Sequence, residues 1–206
     1  MVNIKEHWEH IYQSKNEDEV SWFQAYPAKS VALIELYHLP LDAPLLDVGG
    51  GDSHLVDALM DKGYSNIWVL DIAGHALERA KMRLGERARL VHWIESDLLD
   101  FKPPVRFELW HDRATFHFLT KEDEIARYMD TVNEGLSDSG HLIIAAFSEK
   151  GPEKCSELDV HQYSEKLLSD KFSPCFEQVL CTTESHITPF NTVQQFLFCT
   201  FKKKGK

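Results

Sequence analysis

Short apolar runs alternate along this chain with stretches in which apolar residues recur every three or four positions. The runs Leu45–Val48, Ile67–Leu70, Leu90–Ile94, Val105–Trp110 and His141–Phe147 predict strands. Between them, Leu55, Ala58 and Leu59 share one helical face that Gly63 stops. Leu77, Ala80 and Leu84 share another, ended by Gly85. The clearest helix carries Ile125, Tyr128, Met129, Val132 and Leu136 at i, i+3, i+4, i+7 and i+11. Thr120 is placed as its N-cap, and Asp123 sits in the first turn, where a carboxylate suits the helix dipole. Strands alternating with helices predict right-handed crossovers and a mainly parallel sheet. The rhythm changes at the end. Phe176–His186 and Val193–Phe201 are long strand-like runs joined by a segment holding Pro189 and Asn191, which predicts an antiparallel hairpin closing the sheet. Residues 1–40 carry two helical stretches, the second ended by Pro40. They are expected to cap the C-terminal edge of the sheet as a lid, with residues 41–206 forming one structural unit.

Composition narrows the field. The chain has 206 residues, suited to one ordinary domain, and 43% are hydrophobic, enough for a sizeable core. The formal net charge is -11, although four lysines crowd the last five residues. A broad phosphate-binding surface needs clustered basic side chains, so nucleic acid is not expected as a partner. Nor is a membrane: the longest clean apolar run, Leu142–Phe147, is far shorter than the roughly 20 residues that span a bilayer. Cys155, Cys175, Cys181 and Cys199 form no C-x-x-C pair, and four reduced thiols in a soluble, cytoplasmic protein are expected. His7 and His10 share a helical face but have no third ligand near them, so no metal site is expected.

The chemistry concentrates in LLDVGGGDSHL, residues 45–55. An apolar strand runs through Gly49-Gly50-Gly51 straight into a helical pattern. Glycines let the chain turn sharply and let a ligand approach the backbone. Asp71 ends the next strand, 20 residues after Gly51, where a carboxylate can accept both hydroxyls of a ribose. Ser96 and Asp97 follow the third strand, within reach of the same crevice. A dinucleotide fingerprint requires a third glycine where this chain has His54, which opposes a nicotinamide-dependent oxidoreductase. The pattern is instead D-x-G-x-G, with Asp47 two residues before Gly49. An acid there repels a diphosphate and suits a cationic ligand. S-adenosylmethionine, with an ammonium and a sulfonium and no phosphate, fits that charge logic.

LLDVGGGDSHL, NIWVLDIAGHALERAKMRL and ARLVHWIESDLLDF together resemble a class I (seven-stranded) S-adenosylmethionine-dependent methyltransferase. The resemblance covers nearly the whole chain. It implies an α/β, doubly wound, Rossmann-like sheet ordered 3-2-1-4-5-7-6, with strand 7 antiparallel. It implies that Gly49, Gly50 and Gly51 underlie the methionine part of the cofactor, with Asp47 near its ammonium. Asp71 would bind the ribose, Ile72 and Leu98 would sandwich the adenine, and Ser96 and Asp97 would meet its edge. Many members have a third glycine where Ser53 stands here.

Two further segments carry that resemblance. HWEHIYQSK and VSWFQ are similar to N-terminal stretches that close over the cofactor. Trp22 and Phe23 are the preferred lid residues, with Trp8 and Tyr12 behind them, because aromatic faces attract a sulfonium. The loop WHDRATFHFLT, residues 110–120, would face the transferred methyl group. His111, Asp112 and His117 are the candidate general bases, Asp112 foremost and also counted among the cofactor contacts. Asp112-Arg113-Ala114-Thr115 resembles the D-K-G-T segment of a branch that methylates protein lysines. Ala114 replaces its glycine here and His117 its further aspartate. Arg113 is expected to pair with Asp112. Residues 148–163 are expected to help form the acceptor pocket, but they do not identify the acceptor, whether small molecule or protein lysine. A non-catalytic binding protein that keeps the cofactor site remains the alternative outside enzymology.

Overall fold

A computed structural model describes residues 3–205. In chain order the elements are α1 (Ile4–Ser14), α2 (Ala28–Glu35), β1 (Leu45–Val48), α3 (Leu55–Asp61), β2 (Ile67–Asp71), α4 (Gly74–Leu84), β3 (Val91–Glu95) and β4 (Phe107–Arg113). Then come α5 (Glu122–Gly135), β5 (Leu136–Phe147), the two-residue strands β6 (Lys154–Cys155) and β7 (Leu158–Asp159), α6 (Glu165–Phe172), β8 (Phe176–Ile187) and β9 (Val193–Lys203). The main sheet runs β3-β2-β1-β4-β5-β9-β8. Its first five strands are parallel, and β9 pairs antiparallel with both β5 and β8. This is the order 3-2-1-4-5-7-6 with an antiparallel seventh strand, as the family resemblance implied. Among the described residues, no helix is long and apolar enough to cross a membrane.

The period-two alternation of strands divides the core between two faces. Leu45, Ile67, Leu109, Ile143, Ala145 and Phe198 pack beneath α2, α3 and α4. Leu46, Leu70, Trp110, Leu142, Ile144 and Phe201 pack beneath α5 and α6. On β4, therefore, Leu109 and Trp110 look in opposite directions, and the same parity carries on to His111 and Asp112.

Several expectations need correction. The α5 stripe ends at Gly135. Leu136 is not helical but pairs with Phe107 as the first residue of β5. The N-cap is Lys121 rather than Thr120, without a side-chain cap; Glu122, Asp123 and Glu124 fill the first turn. The sequence reading did not anticipate α6, which Ser164 caps by accepting from the Leu167 amide at 3.2 Å, and which buries Leu168 and Phe172. Finally, Cys181 and Cys199 are not free thiols. The β8–β9 register sets them directly opposite and they form a disulfide, whereas Cys155 and Cys175 are free.

Candidate functional site

The sheet's carboxyl ends open into a cavity of about 530 Å³, a size that suits a small-molecule cofactor. Its floor is the turn after β1. Gly49 and Gly51 have φ of +62° and +45°, the left-handed region that glycine enters without steric cost. A Cβ on Gly49 would stand 1.8 Å from the Thr115 Oγ1, and one on Gly51 would stand 2.9 Å from the Tyr12 hydroxyl and 3.0 Å from Asp71 Oδ2. The glycines thus let the loop after β4 and the residues above the turn close onto its backbone.

Asp71 is buried at the end of β2, and its Oδ1 accepts from the Ala73 amide at 2.8 Å. Burial pushes its carboxyl up to about 7, reinforced by Asp52 and Asp47 and opposed by the Ala73 and Gly51 amides. Such a carboxylate is short of hydrogen-bond donors, and a pair of ligand hydroxyls would supply them. Asp97 is exposed on the cavity rim, where it accepts from the Leu99 amide at 2.8 Å. Ile72, Ser96 and Leu98 line the wall between these two acids.

Above the turn lies an aromatic cover. Trp8 packs edge-on against Trp22 at 5.7 Å and Phe118 at 5.2 Å, and Tyr12 meets Trp22 at 6.2 Å. All four line the cavity. Phe23 does not; it packs instead on His54, 5.7 Å away. The cover is anchored to α4. Glu9 accepts from the Gly74 and His75 amides at 2.8 and 3.2 Å, and Arg79 donates to the Tyr12 and Lys15 carbonyls at 3.2 and 2.9 Å. The amides that open α4 are therefore already satisfied by a carboxylate. With Asp47, Asp52 and Asp71 around the glycine turn, nothing here welcomes a diphosphate.

His111 lines the cavity one strand over from Asp47, in register with it. Its Nδ1 lies 2.7 Å from Asp47 Oδ1 and its Nε2 lies 2.9 Å from the Ser30 Oγ. A carboxylate only accepts, so Nδ1 carries a proton toward Asp47, and in a neutral imidazole Nε2 is left to accept from the Ser30 hydroxyl. All three side chains are buried at the cavity wall.

Asp112 and His117 sit elsewhere. The parity of β4 turns Asp112 to the opposite face, fully buried. Its Oδ1 accepts from the Thr115 and Phe116 amides at 3.0 Å each, and its Oδ2 accepts from the Tyr128 hydroxyl at 2.9 Å. Burial pushes this carboxyl up to about 6 against those bonds. It holds the tight turn in which Ala114 adopts φ +69°, the position the lysine-methylating branch fills with glycine. His117 is also fully buried; its Nδ1 accepts from the Phe147 amide at 3.3 Å, and burial pushes its imidazole down to about 3, aided by the Arg113 charge. Neither residue lines the cavity. Arg113 does, and it makes no ion pair with Asp112, because the two side chains leave opposite faces of the strand.

The structure thus brings Trp22, Asp47, Gly49, Gly50, Asp71 and Ile72 to one cavity, with Ser96, Asp97, Leu98 and His111 beside them. Gly51 lies just beneath. Thr115, from the loop expected to face the methyl group, also lines it, as do Ser30, Gln194 and Phe196, which carry no signal in the sequence. Arg113 had one: alternation along β4 from buried Leu109 points it toward His111.

Residues 46–142 match the model of a methyltransferase-domain family. A curated relative, the eEF1A lysine and N-terminal methyltransferase of Mus musculus, is 25% identical over 142 residues, which are 67% of this chain and 20% of that protein. The chain spans about a fifth of the length of that relative. A SAM-dependent methyltransferase from Anabaena variabilis shares the fold with a TM-score of 0.75 at 13% identity, covering 99% of this chain and 96% of that one. The N-methyltransferase NodS from Bradyrhizobium japonicum, solved with S-adenosyl-L-homocysteine, aligns with a TM-score of 0.69 at 17% identity over 98% of this chain and 99% of its own. A sheet of this order, with a family match running from β1 into β5, makes the chain similar to the class I S-adenosylmethionine-dependent methyltransferases.

Proposed function

We propose that residues 1–40 act as a lid on the unit formed by residues 41–206, and that the closed cleft transfers a methyl group to an acceptor whose proton leaves through Ser30 and His111. The observation that carries this reading is the chain Ser30–His111–Asp47 at the cavity wall. The cofactor supplies a methyl carbon already activated on a sulfonium, so transfer needs an aligned acceptor lone pair and a route for any proton. Asp71 would accept from the ribose hydroxyls, Asp97 from the adenine amino group, and Ile72 and Leu98 would hold the ring. The backbone of Gly49 to Gly51 would run beneath the methionine portion, with Asp47 toward its ammonium. When bound, the cofactor would supply its methyl carbon to the acceptor's lone pair and would keep the electrons of the carbon–sulfur bond on sulfur. Ser30 Oγ takes the acceptor's proton while passing its own to His111 Nε2, and Asp47 stabilises the resulting imidazolium. Asp112, turned away from the cleft, is a positioning residue for the loop that carries Thr115. The net charge of -11 supports an acceptor other than nucleic acid.

Calorimetric titration with S-adenosylmethionine and, separately, NADH tests the cofactor. S-adenosylmethionine alone should bind, and Asp71→Ala should weaken it about 10- to 100-fold, the value of hydrogen bonds to a charged group. Unaltered affinity in that variant would sink the placement of the ribose. On any acceptor found, Ser30→Ala should lower kcat about 100-fold with little change in KM. An unchanged kcat would remove the proton relay.

A further inference from the structure

Beside His111 the cavity wall is formed by residues of β4, β5 and β9. Arg113 stands two residues further along β4 on the same face, and Phe147, Gln194 and Phe196 line the cavity with it. The guanidinium lies over the Phe196 ring, 5.0 Å from its centroid, and Nη1 donates to the Trp22 carbonyl at 3.1 Å. The other two nitrogens, Nε and Nη2, are buried and bond to nothing among the described residues. Gln194 Oε1, a lining residue of the same cavity, is also buried without a partner among the described residues.

A guanidinium stays charged at any physiological pH, and its planar fork matches two oxygens of one anion. Leaving two of its N–H groups buried and unpaired is costly, and native proteins tolerate few such groups. Neighbouring acids do not relieve the cost. Glu184, opposite Phe196 in the β8–β9 register, is near enough to favour the charged guanidinium, yet it makes no ion pair with it, and its Oε2 is itself buried and unpartnered. Asp47 is engaged by His111. The free edge of Arg113 is a built receptor whose natural complement is an anionic pair of oxygens, with aromatic walls beside it for an apolar body.

We infer that the methyl acceptor is a small organic acid, whose carboxylate is received by Arg113 and whose apolar part rests on Phe147 and Phe196. The inference rests on the transferase reading above. The carboxylate is the anchor, and the methylated atom lies at the Ser30 end of the molecule. A protonated lysine side chain would meet an unpaired guanidinium of like charge, so cationic amines are disfavoured.

The test uses the full chain saturated with S-adenosylhomocysteine, titrated calorimetrically with phenylacetate and indole-3-acetate, their amides, and phenethylamine and tryptamine. The acids should bind at least about tenfold more tightly than their amides, and the amines more weakly still. Arg113→Met, which keeps an unbranched apolar stem, should erase the preference for acid over amide. Its affinity for S-adenosylhomocysteine should stay within about threefold of wild type, and its thermal unfolding should remain cooperative. Equal or tighter binding of the amides or amines would overturn the proposal, as would failure of both acids to bind. Loss of S-adenosylhomocysteine binding in a folded Arg113→Met would overturn it too, by assigning the guanidinium to the cofactor. Glu184→Gln removes a competing anion and should tighten acid binding; weaker binding would count against the proposal. Failure of the wild-type chain to bind S-adenosylhomocysteine at all is read in the first titration and would strike the transferase reading itself.

Discussion

At the ends of β1, β2 and β3 the cleft is bounded by a backbone turn, Gly49 to Gly51, and by acids at or just past a strand's end, Asp71 and Asp97. At the ends of β4, β5 and β9 it is made of side chains from distant parts of the chain, with Arg113, Phe147 and Phe196 meeting across three strands. The first half is held by local geometry. Its glycines occupy conformations that other residues enter only with strain, and its acids bond to amides two residues away. The second half is held by packing and leaves polar atoms unpaired. A cofactor that never changes can be met by a fixed backbone, whereas an acceptor is met by replaceable side chains.

The difference can be attacked from the rigid side first. Gly49→Val places a branched side chain at positive φ and against Thr115. It should cost about 3–5 kcal/mol, from roughly 1–2 of left-handed strain plus overpacking, seen as a lower urea midpoint with unchanged slope. A loss below about 1 kcal/mol would mean that the turn is not held as described.

Asp71 offers a pH-dependent test of the same half. Its folded carboxyl is raised to about 7. Between about pH 4 and 7 the native state keeps a proton that the unfolded chain has released, so this group's contribution to stability falls as pH rises through that window. Asp71→Asn removes the effect while keeping an acceptor for the Ala73 amide. The ligand-free variant should match wild type near pH 4 and exceed it by about 2–4 kcal/mol near pH 8. Ligand hydroxyls favour the ionised form, so wild-type affinity for S-adenosylhomocysteine should rise with pH toward 7 and then level off. A flat affinity profile would contradict the assignment of Asp71 to the ribose.

On the packed side, Tyr128→Phe takes one donor from the buried Asp112 carboxylate. We expect a loss of about 1–3 kcal/mol in chemical denaturation and a further rise in the Asp112 pKa, measurable by carboxyl-carbon NMR. The smallest effect should come from Ala114→Gly. Relief of a left-handed alanine should stabilise the loop by about 1 kcal/mol, partly offset by the greater freedom of glycine in the unfolded chain. A destabilisation in thermal melts would show that Ala114 is held by contacts rather than strained.

Legibility followed the same division. The strands showed themselves because runs buried on both faces read as unbroken apolar stretches. Leu136–Gly140 escaped notice because this start of β5 is largely polar and continues directly from α5. The short helix α6 offered only two buried residues to a periodicity search. Asp112 was misread as facing the cleft although alternation through Leu109 and Trp110 already set it on the other face. Ser30 and Gln194 had no signal at all, since each matters only for what stands opposite it.

What the sequence determined alone was whatever depends on near neighbours: apolar runs as strands, glycines where the backbone must enter left-handed space, and acids one strand apart that converge on a single crevice. Right-handed crossovers made the sheet mainly parallel, and its strand order came from the family resemblance that these segments carry. What only the tertiary structure decided was whatever depends on pairing and parity. The β1–β4 register joined Asp47 to His111, the fold of α2 added Ser30, and the β8–β9 register brought Cys181 to Cys199. Packing left two nitrogens of Arg113 without partners beside an aromatic wall. A one-residue slip in any of those strands would turn every side chain to the opposite face while leaving the composition and periodicity of the chain unchanged.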